Sequence, residues 1–201
     1  MEESIQDQKH LSKETESNVI LSLDLEMNKN EKGEVDKIIQ IGAVIGDLNT
    51  GEVLGKFSVF IKINEPLDPY IIKLTGIQEK DLDSGVSLVD GYNLLKEFKS
   101  KFPCDSSGYT WGGDDIGKLK TDLMSQGFED KFIFGRQFSN VKTVFNLYCK
   151  ANGLKTKGGL AKSLTRVGLK FEGRKHNALD DAYNTFVLAC FLYKTMKVNK
   201  R

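Results

Sequence analysis

Val19-Ile20-Leu21-Ser22-Leu23-Asp24-Leu25-Glu26-Met27 is the stretch on which the fold turns. Val19, Leu21, Leu23, Leu25 and Met27 are all apolar, and Ile20, Ser22, Asp24 and Glu26 fill the positions between. A period of two is that of a β-strand, so this strand has one dry face and a second face that ends in two carboxylates. Acids at i and i+2 on a strand project from one face, roughly 7 Å apart. Like charges that close are unfavourable unless a cation sits between them. The plain alternative is a pair of solvated acids beside a loop.

Working outward, Lys37 to Gly46 and Val53 to Ile63 are two further strand candidates, rich in Ile, Val and Phe. Asp47-Leu48-Asn49-Thr50-Gly51 supplies turn residues between them and predicts an antiparallel hairpin. The polar segment Asn28 to Glu34 links the first strand to the second. Past Pro66, Asp68 is placed to cap a short helix running to Leu74, which Thr75-Gly76-Ile77 breaks. Val86 to Phe102 has helical spacing in Val89, Tyr92, Leu95 and Phe98, with Pro103 as a stop. Tyr109-Thr110-Trp111 reads as a short strand, and Asp115 to Gln126 as a helix with Ile116, Leu119 and Leu123 inward. Phe132 to Phe134 fits either state. Helices over Val141 to Lys150 and Gly158 to Arg166 follow, and a closing helix presents Leu179, Ala182, Phe186, Ala189 and Tyr193 as its buried stripe. Three strands first, then strands alternating with helices, predict an α/β fold: a mixed five-stranded sheet flanked by helices, with acids at strand ends, of the RNase H-like kind.

The 201 residues, 39% apolar and 28% charged, suffice for one domain with a full core. Residues 1–17 are polar and aperiodic, which predicts a disordered tail containing His10 ahead of a single domain over 18–197. A net charge of +1 argues against coating nucleic acid, though not against gripping a few phosphates. Residues 151–175 carry seven basic side chains, Lys155, Lys157, Lys162, Arg166, Lys170, Arg174 and Lys175, against the single acid Glu172. A solvated face explains that alone; its place just ahead of His176 points to a phosphate-backbone contact. Cys104, Cys149 and Cys190 lack metal-type spacing, and Cys190 reads as a reduced core thiol. No apolar run is long enough to span a membrane, and the N-terminus lacks signal-peptide order, so no membrane partner and a cytoplasmic location are expected.

Two more stretches carry chemistry. Trp111-Gly112-Gly113-Asp114-Asp115 places acids at the end of the short strand, where Asp115 would ordinarily be read as a helix cap. His176-Asn177-Ala178-Leu179-Asp180-Asp181-Ala182 opens the closing helix. Five helical positions put His176 and Asp181 about 140° apart, so both face one site only if His176 lies in the lead-in loop. Asp24, Glu26, Asp115 and Asp181 offer hard oxygen ligands of the kind Mg²⁺ or Mn²⁺ accepts, and two such ions would clamp a scissile phosphate. His176 suits a general base, since histidine is the side chain whose unperturbed charge change falls near neutrality.

Together these residues resemble the DEDD-type 3′→5′ exonucleases, in the branch with an active-site histidine (DEDDh, DnaQ-like), from about Val19 to Tyr193. Asp24-Leu25-Glu26 is similar to the first motif, Asp115 falls where the second places its acid, and His176 with Asp181 reproduces the third. The Trp-Gly-x-x-Asp form and Gly173-Arg174-Lys175-His176 are most similar to the enhanced-RNAi and histone-mRNA exonuclease subfamily, which has bacterial KapD-like members. The resemblance implies hydrolysis of single-stranded RNA or DNA from the 3′ end, releasing nucleoside 5′-monophosphates. Asp24, Glu26, Asp115 and Asp181 would hold two metal ions, and Met27, Leu74, Thr75 and Gly76 would border the terminal nucleotide. Asp114 stands where the family commonly has a bulkier residue, which leaves the second-motif acid open between Asp114 and Asp115. An RNase H-type endonuclease and a catalytically silent nucleic-acid-binding module on the same sheet are the alternatives.

Overall fold

The computed structural model describes residues 17–29, 36–134 and 138–197. Most of the expected tail, with His10, and residues 30–35 of the first connection lie outside the described residues. The described chain forms β1 (Val19–Asn28), β2 (Lys37–Asp47), β3 (Val53–Phe60), α1 (Pro69–Thr75), α2 (Glu79–Asp83), α3 (Leu88–Ser100), β4 (Gly108–Thr110), α4 (Asp115–Ser125), β5 (Ser139–Asn140), α5 (Val141–Ala151), α6 (Leu160–Arg166) and α7 (Ala178–Lys197). The sheet order is β3-β2-β1-β4-β5. β1, β2 and β3 are antiparallel, while β4 pairs parallel with β1 and β5 parallel with β4.

The hairpin between β2 and β3 closes as its turn residues require: Asp47 Oδ1 accepts the amides of Asn49 and Thr50 at 2.7 and 2.9 Å. β1 is central, and both of its faces are covered. Leu21, Leu23 and Leu25 pack with Tyr92 and Leu95 of α3 and Ile116, Leu119 and Leu123 of α4. Ile20 on the other face joins Val44, Phe145 of α5, Leu164 of α6 and Phe186 of α7. The second face is therefore apolar near the strand's start and acidic only at its end. A bulge between Glu26 and Met27, where Glu26 faces Gln40 but Met27 faces Ile38, leaves Ile39 as the extra residue. That one residue shifts the phase of β2, so Ile38 joins Ile41, Ala43 and Ile45 in one cluster while Ile39 turns to Leu67, Ile71 and Leu82.

Two glycines of β2 let α7 lie directly on the sheet. A Cβ at Gly42 would overlap the backbone of Ala178 and Leu179, and one at Gly46 would overlap the Phe186 ring. From Ala178 to Phe186 a helix rises about 12 Å, and from Gly42 to Gly46 a strand rises about 13 Å, so α7 runs along β2 with its start over Gly42. The helix is buried more widely than a single stripe: Asn184, Thr185, Leu188, Cys190 and Leu192 are enclosed as well, while Leu179 and Tyr193 are half-buried. Packing against α5 and α6 as well as the sheet accounts for the difference.

Other departures from expectation are local. β3 ends at Phe60, and Ile61 continues only as a bridge to Val86. α2 has no periodic signal to announce it; its single turn is held by a reciprocal cap between Gln78 and Asp81. Phe132 to Phe134 forms neither helix nor strand. Phe132 stacks on Tyr92 at 5.5 Å between centroids, and the Ile133 amide donates to the Tyr92 hydroxyl at 2.7 Å. Strand β5 is two residues long, too short to show alternation.

Candidate active site

The end of β1 sets the position of everything else. Asp24 pairs with Gly42 and Glu26 with Gln40 across the β1–β2 ladder. On the other side Ser22 pairs with Tyr109 in parallel, so the chain leaving β4 reaches Trp111 about level with Asp24. The turn that follows contains Gly112 at φ 77° and delivers the next acids. Asp114, not Asp115, caps α4: its Oδ1 accepts the Gly117 amide at 3.0 Å. Asp115 is the first helical residue and only 7% exposed. Between the two neighbouring acids, the cap role thus falls to Asp114 and the place toward Asp24 and Glu26 to Asp115.

The start of α7 is fixed by residues whose importance the motifs do not reveal. Buried Gln40 accepts the Ala178 amide on Oε1 at 3.1 Å and donates through Nε2 to Ser58 at 3.1 Å. Asn184, fully buried, accepts the Glu172 amide at 3.0 Å and donates to the carbonyls of Glu172 and Asp180, each at 2.7 Å. Asp180 accepts the Arg174 amide at 2.8 Å. These bonds tie the loop before α7 to the helix it precedes. His176 lies in that loop, as its angular separation from Asp181 demands, with φ 60° and its amide donating to Asp181 Oδ2 at 2.9 Å. A polar residue inside Ile38-Ile39-Gln40-Ile41, and an Asn within the apolar run of α7, are the signals by which Gln40 and Asn184 stand out in the sequence.

The elements enclose a cleft of about 420 Å³ whose wall includes Asp24, Glu26, Trp111, Lys162, Lys175, His176 and Asp181. Ligand atoms of Glu26, His176 and Asp181 all lie within 4.8 Å of one another. Burial, and then the charges of Asp115, Asp181 and Glu26, hold the Asp24 carboxyl well above the usual range. Burial with the charges of Asp181 and Asp115 pushes Glu26 to about 8. Asp115 is raised to about 6, again by burial first, with Lys118 opposing and Asp114 adding. Burial also raises Asp181, though the His176 amide and the His176 charge pull it back. Carboxylates so crowded favour a bound cation, and their hard oxygens suit a divalent ion, with His176 adding a nitrogen in the same group as Glu26 and Asp181. The residues present fit such ions.

Met27, Leu74, Thr75 and Gly76 do not wall this cleft, and neither does Asp115, which acts on Asp24 and Glu26 through its charge. Gly76 ends α1 at φ 71° with the Arg174 guanidinium packed against it, which ties that segment to the His176 loop. A larger hollow of about 630 Å³ opens at the other end of β1, between Asn18, Leu48, Val144 and Tyr193. Its only carboxylate is Asp105, already bonded to the Tyr109 hydroxyl at 3.1 Å, so it holds no acid cluster. Asp122, buried on α4, is likewise outside the cleft and paired with Lys37 at 3.7 Å.

A family model described as "RNase_T: Exonuclease" matches residues 21–188. The chain belongs to the RNase T exonuclease family. Its members are the enzymes that the acid motifs and His176 resemble, within the DEDD branch that carries an active-site histidine. Divalent metal ions go with that family. Among curated relatives, the 3′-5′ exonuclease Snipper of Drosophila melanogaster is 28% identical over 172 residues, covering 77% of this chain and 60% of Snipper. The ERI1 exoribonuclease 2 of Homo sapiens is 24% identical, over 86% of this chain and 28% of its own length. The chain thus spans about 60% and 28% of these two relatives. In fold it is similar to the nuclease domain of 3′hExo, solved bound to rAMP, with a TM-score of 0.76 at 21% identity, covering 90% of this chain and 94% of that domain. No helix among the described residues is long and apolar enough to cross a membrane.

Proposed function

We propose that this cleft hydrolyses the last phosphodiester of single-stranded RNA or DNA, working 3′→5′ and releasing nucleoside 5′-monophosphates. The observation that carries the reading is the convergence of Asp24, Glu26 and Asp181 from β1 and α7 on one cleft with His176 at its edge, and with Asp115 of α4 near enough for its charge to raise Asp24 and Glu26. The names of Snipper and ERI1 exoribonuclease 2 support the same activity for this chain. The four carboxylates would hold two Mg²⁺ or Mn²⁺ ions, which when bound neutralise charge on the scissile phosphate and ease ionisation of water. His176 takes the proton from the attacking water; exposed on a fixed loop, it keeps access to solvent for returning that proton. Water adds to phosphorus, the P–O3′ bond breaks, and the shortened strand keeps its 3′-oxygen as a hydroxyl. Met27, Leu74, Thr75 and Gly76 border the terminal nucleotide in this reading, although they stand outside the cleft wall.

The test uses RNA and DNA oligomers labelled at the 5′ end, with Mg²⁺, Mn²⁺ or EDTA, beside Asp24→Asn. A metal-dependent ladder shrinking from the 3′ end, absent in the variant, is the expected result. Cleavage of a circular single strand would replace this reading with an endonuclease. Binding without any product, from folded protein with metal, would replace it with a silent binding module.

A further inference from the structure

The seven cations of residues 151–175 are sorted by the fold. Lys162 and Lys175 stand in the wall of the acid cleft. With Ala161, Thr165 and Arg166 they also wall a second groove of about 400 Å³, so the two hollows are contiguous across Lys162 and Lys175. No carboxylate lines the second groove, and among the described residues none of its three cations is in an ion pair. Arg166 is anchored there, its Nη2 donating to the Lys157 carbonyl at 2.9 Å. Its Nη1 is enclosed and meets no acceptor in the protein. A charged donor left so is unfavourable, and a phosphate oxygen matches a guanidinium's geometry.

The charge along these two hollows reverses, from acids in the cleft to cations in the groove. A strand with its 3′ end among the acids must lead its preceding phosphates out over some part of the rim. We propose that the groove of Lys162, Arg166 and Lys175 carries the sugar–phosphate backbone of the nucleotides preceding the scissile bond. This rests on the exonuclease reading. The ligand is backbone phosphate, common to RNA and DNA, so the groove grips charge and does not read bases. Each of its cations that meets a phosphate contributes a salt-dependent share of affinity.

Two variants alter the groove outside the cleft wall. Arg166→Gln removes a fixed charge, and Thr165→Glu puts a carboxylate at an exposed position. Both are assayed on the p-nitrophenyl ester of thymidine 5′-monophosphate, which has no upstream phosphate, and on ten-nucleotide oligouridylate and oligothymidylate. KM for both ten-mers is expected to rise about ten-fold while turnover of the ester is unchanged. For Arg166→Gln the slope of log affinity against log salt should fall by about 0.7, the value of one phosphate contact on a single strand. Unchanged KM and slope in both variants, with the ester still cleaved, overturn the groove and leave the exonuclease reading standing. Equal losses on ester and ten-mers also overturn it, because they place these residues in the reaction itself. If the unaltered protein cleaves neither substrate with metal present, the exonuclease reading falls. The proposal then falls with it, and anisotropy with labelled ten-mers tells whether the groove still grips a single-stranded backbone, weaker binding by the variants showing a backbone site and equal binding none. Thermal melting identifies a variant that fails to fold, and Thr165→Glu, which truncates nothing, keeps the test available.

Discussion

His176 holds a backbone conformation, φ 60°, that few residues other than glycine adopt. Holding it costs on the order of 1 kcal/mol, and the hydrogen bond from its amide to Asp181 is what keeps it there. The strain aims an imidazole at the cleft, so removing the ring should lower rate more than affinity. His176→Ala should cut kcat by roughly 10²- to 10⁴-fold, the ordinary weight of a general base, with KM little changed. His176→Gly should be as inactive but at least as stable as the alanine variant, since glycine takes φ 60° without penalty. Thermal melts of the pair check the strain, and an alanine variant melting higher than the glycine one would refute it. Asp24→Asn or Asp181→Asn should abolish turnover while circular dichroism and melting remain those of a folded protein. Full activity in either removes that acid from the reaction.

At the level of elements, the legible parts are those with a period or a cap. β1 and its acid pair follow from alternation, α4 from Ile116, Leu119 and Leu123, and the β2–β3 hairpin from its turn residues. The third-motif geometry follows from the helical angle between His176 and Asp181. What the sequence does not display is long-range docking: that α7 rests on β2 at Gly42, or that Gln40 holds its first amide, since these contacts join residues more than 130 apart. Nor does it display β5, which has two residues and no pattern. The docking predicts a contrast between two like substitutions. Gly42→Ala must push back the backbone of α7 where it carries His176 and Asp181, whereas Gly46→Ala meets the Phe186 ring, eight residues further along, and the Glu52 carbonyl oxygen beside β3, neither of them at the start of α7. Each should cost about 1–3 kcal/mol by overpacking. Only Gly42→Ala should also lose most of its kcat, because catalytic groups need placement within about an ångström. Equal kcat in the two variants, measured on one labelled oligomer, would show that α7 does not set the geometry of the cleft.

For the molecule as a whole, crowding the charges of four acids around the end of β1 ties folding to pH and to cations. Asp24, Glu26, Asp115 and Asp181 all have folded pKa values above their free ones, burial being the first cause in each. Between the free and folded values the native protein therefore binds more protons than the unfolded chain, and stability falls as pH rises. The decline begins near pH 4, where free carboxylates ionise, and continues through about 6 for Asp115 and about 8 for Glu26. Asp47, whose carboxyl is lowered by the Thr50 and Asn49 amides, acts below that window, and the Cys190 thiol, pushed to about 11 by burial, acts above it. In EDTA the melting temperature should thus drop steadily from pH 5 to pH 8, the reverse of ordinary acid unfolding. Millimolar Mg²⁺ or Mn²⁺ binds the ionised carboxylates of the folded state and should flatten that drop. Glu26→Gln removes one of the crowded charges, so at pH 8 in EDTA it should melt higher than the unaltered protein, by on the order of a few kcal/mol of stability, while gaining less from added metal. A melting temperature that rises or stays level across this range in EDTA would mean that the acids do not share a desolvated site. The same crowding that makes the cleft suited to divalent ions makes the metal-free protein less stable near neutrality, so differential scanning fluorimetry over pH and metal reads out the site without any substrate.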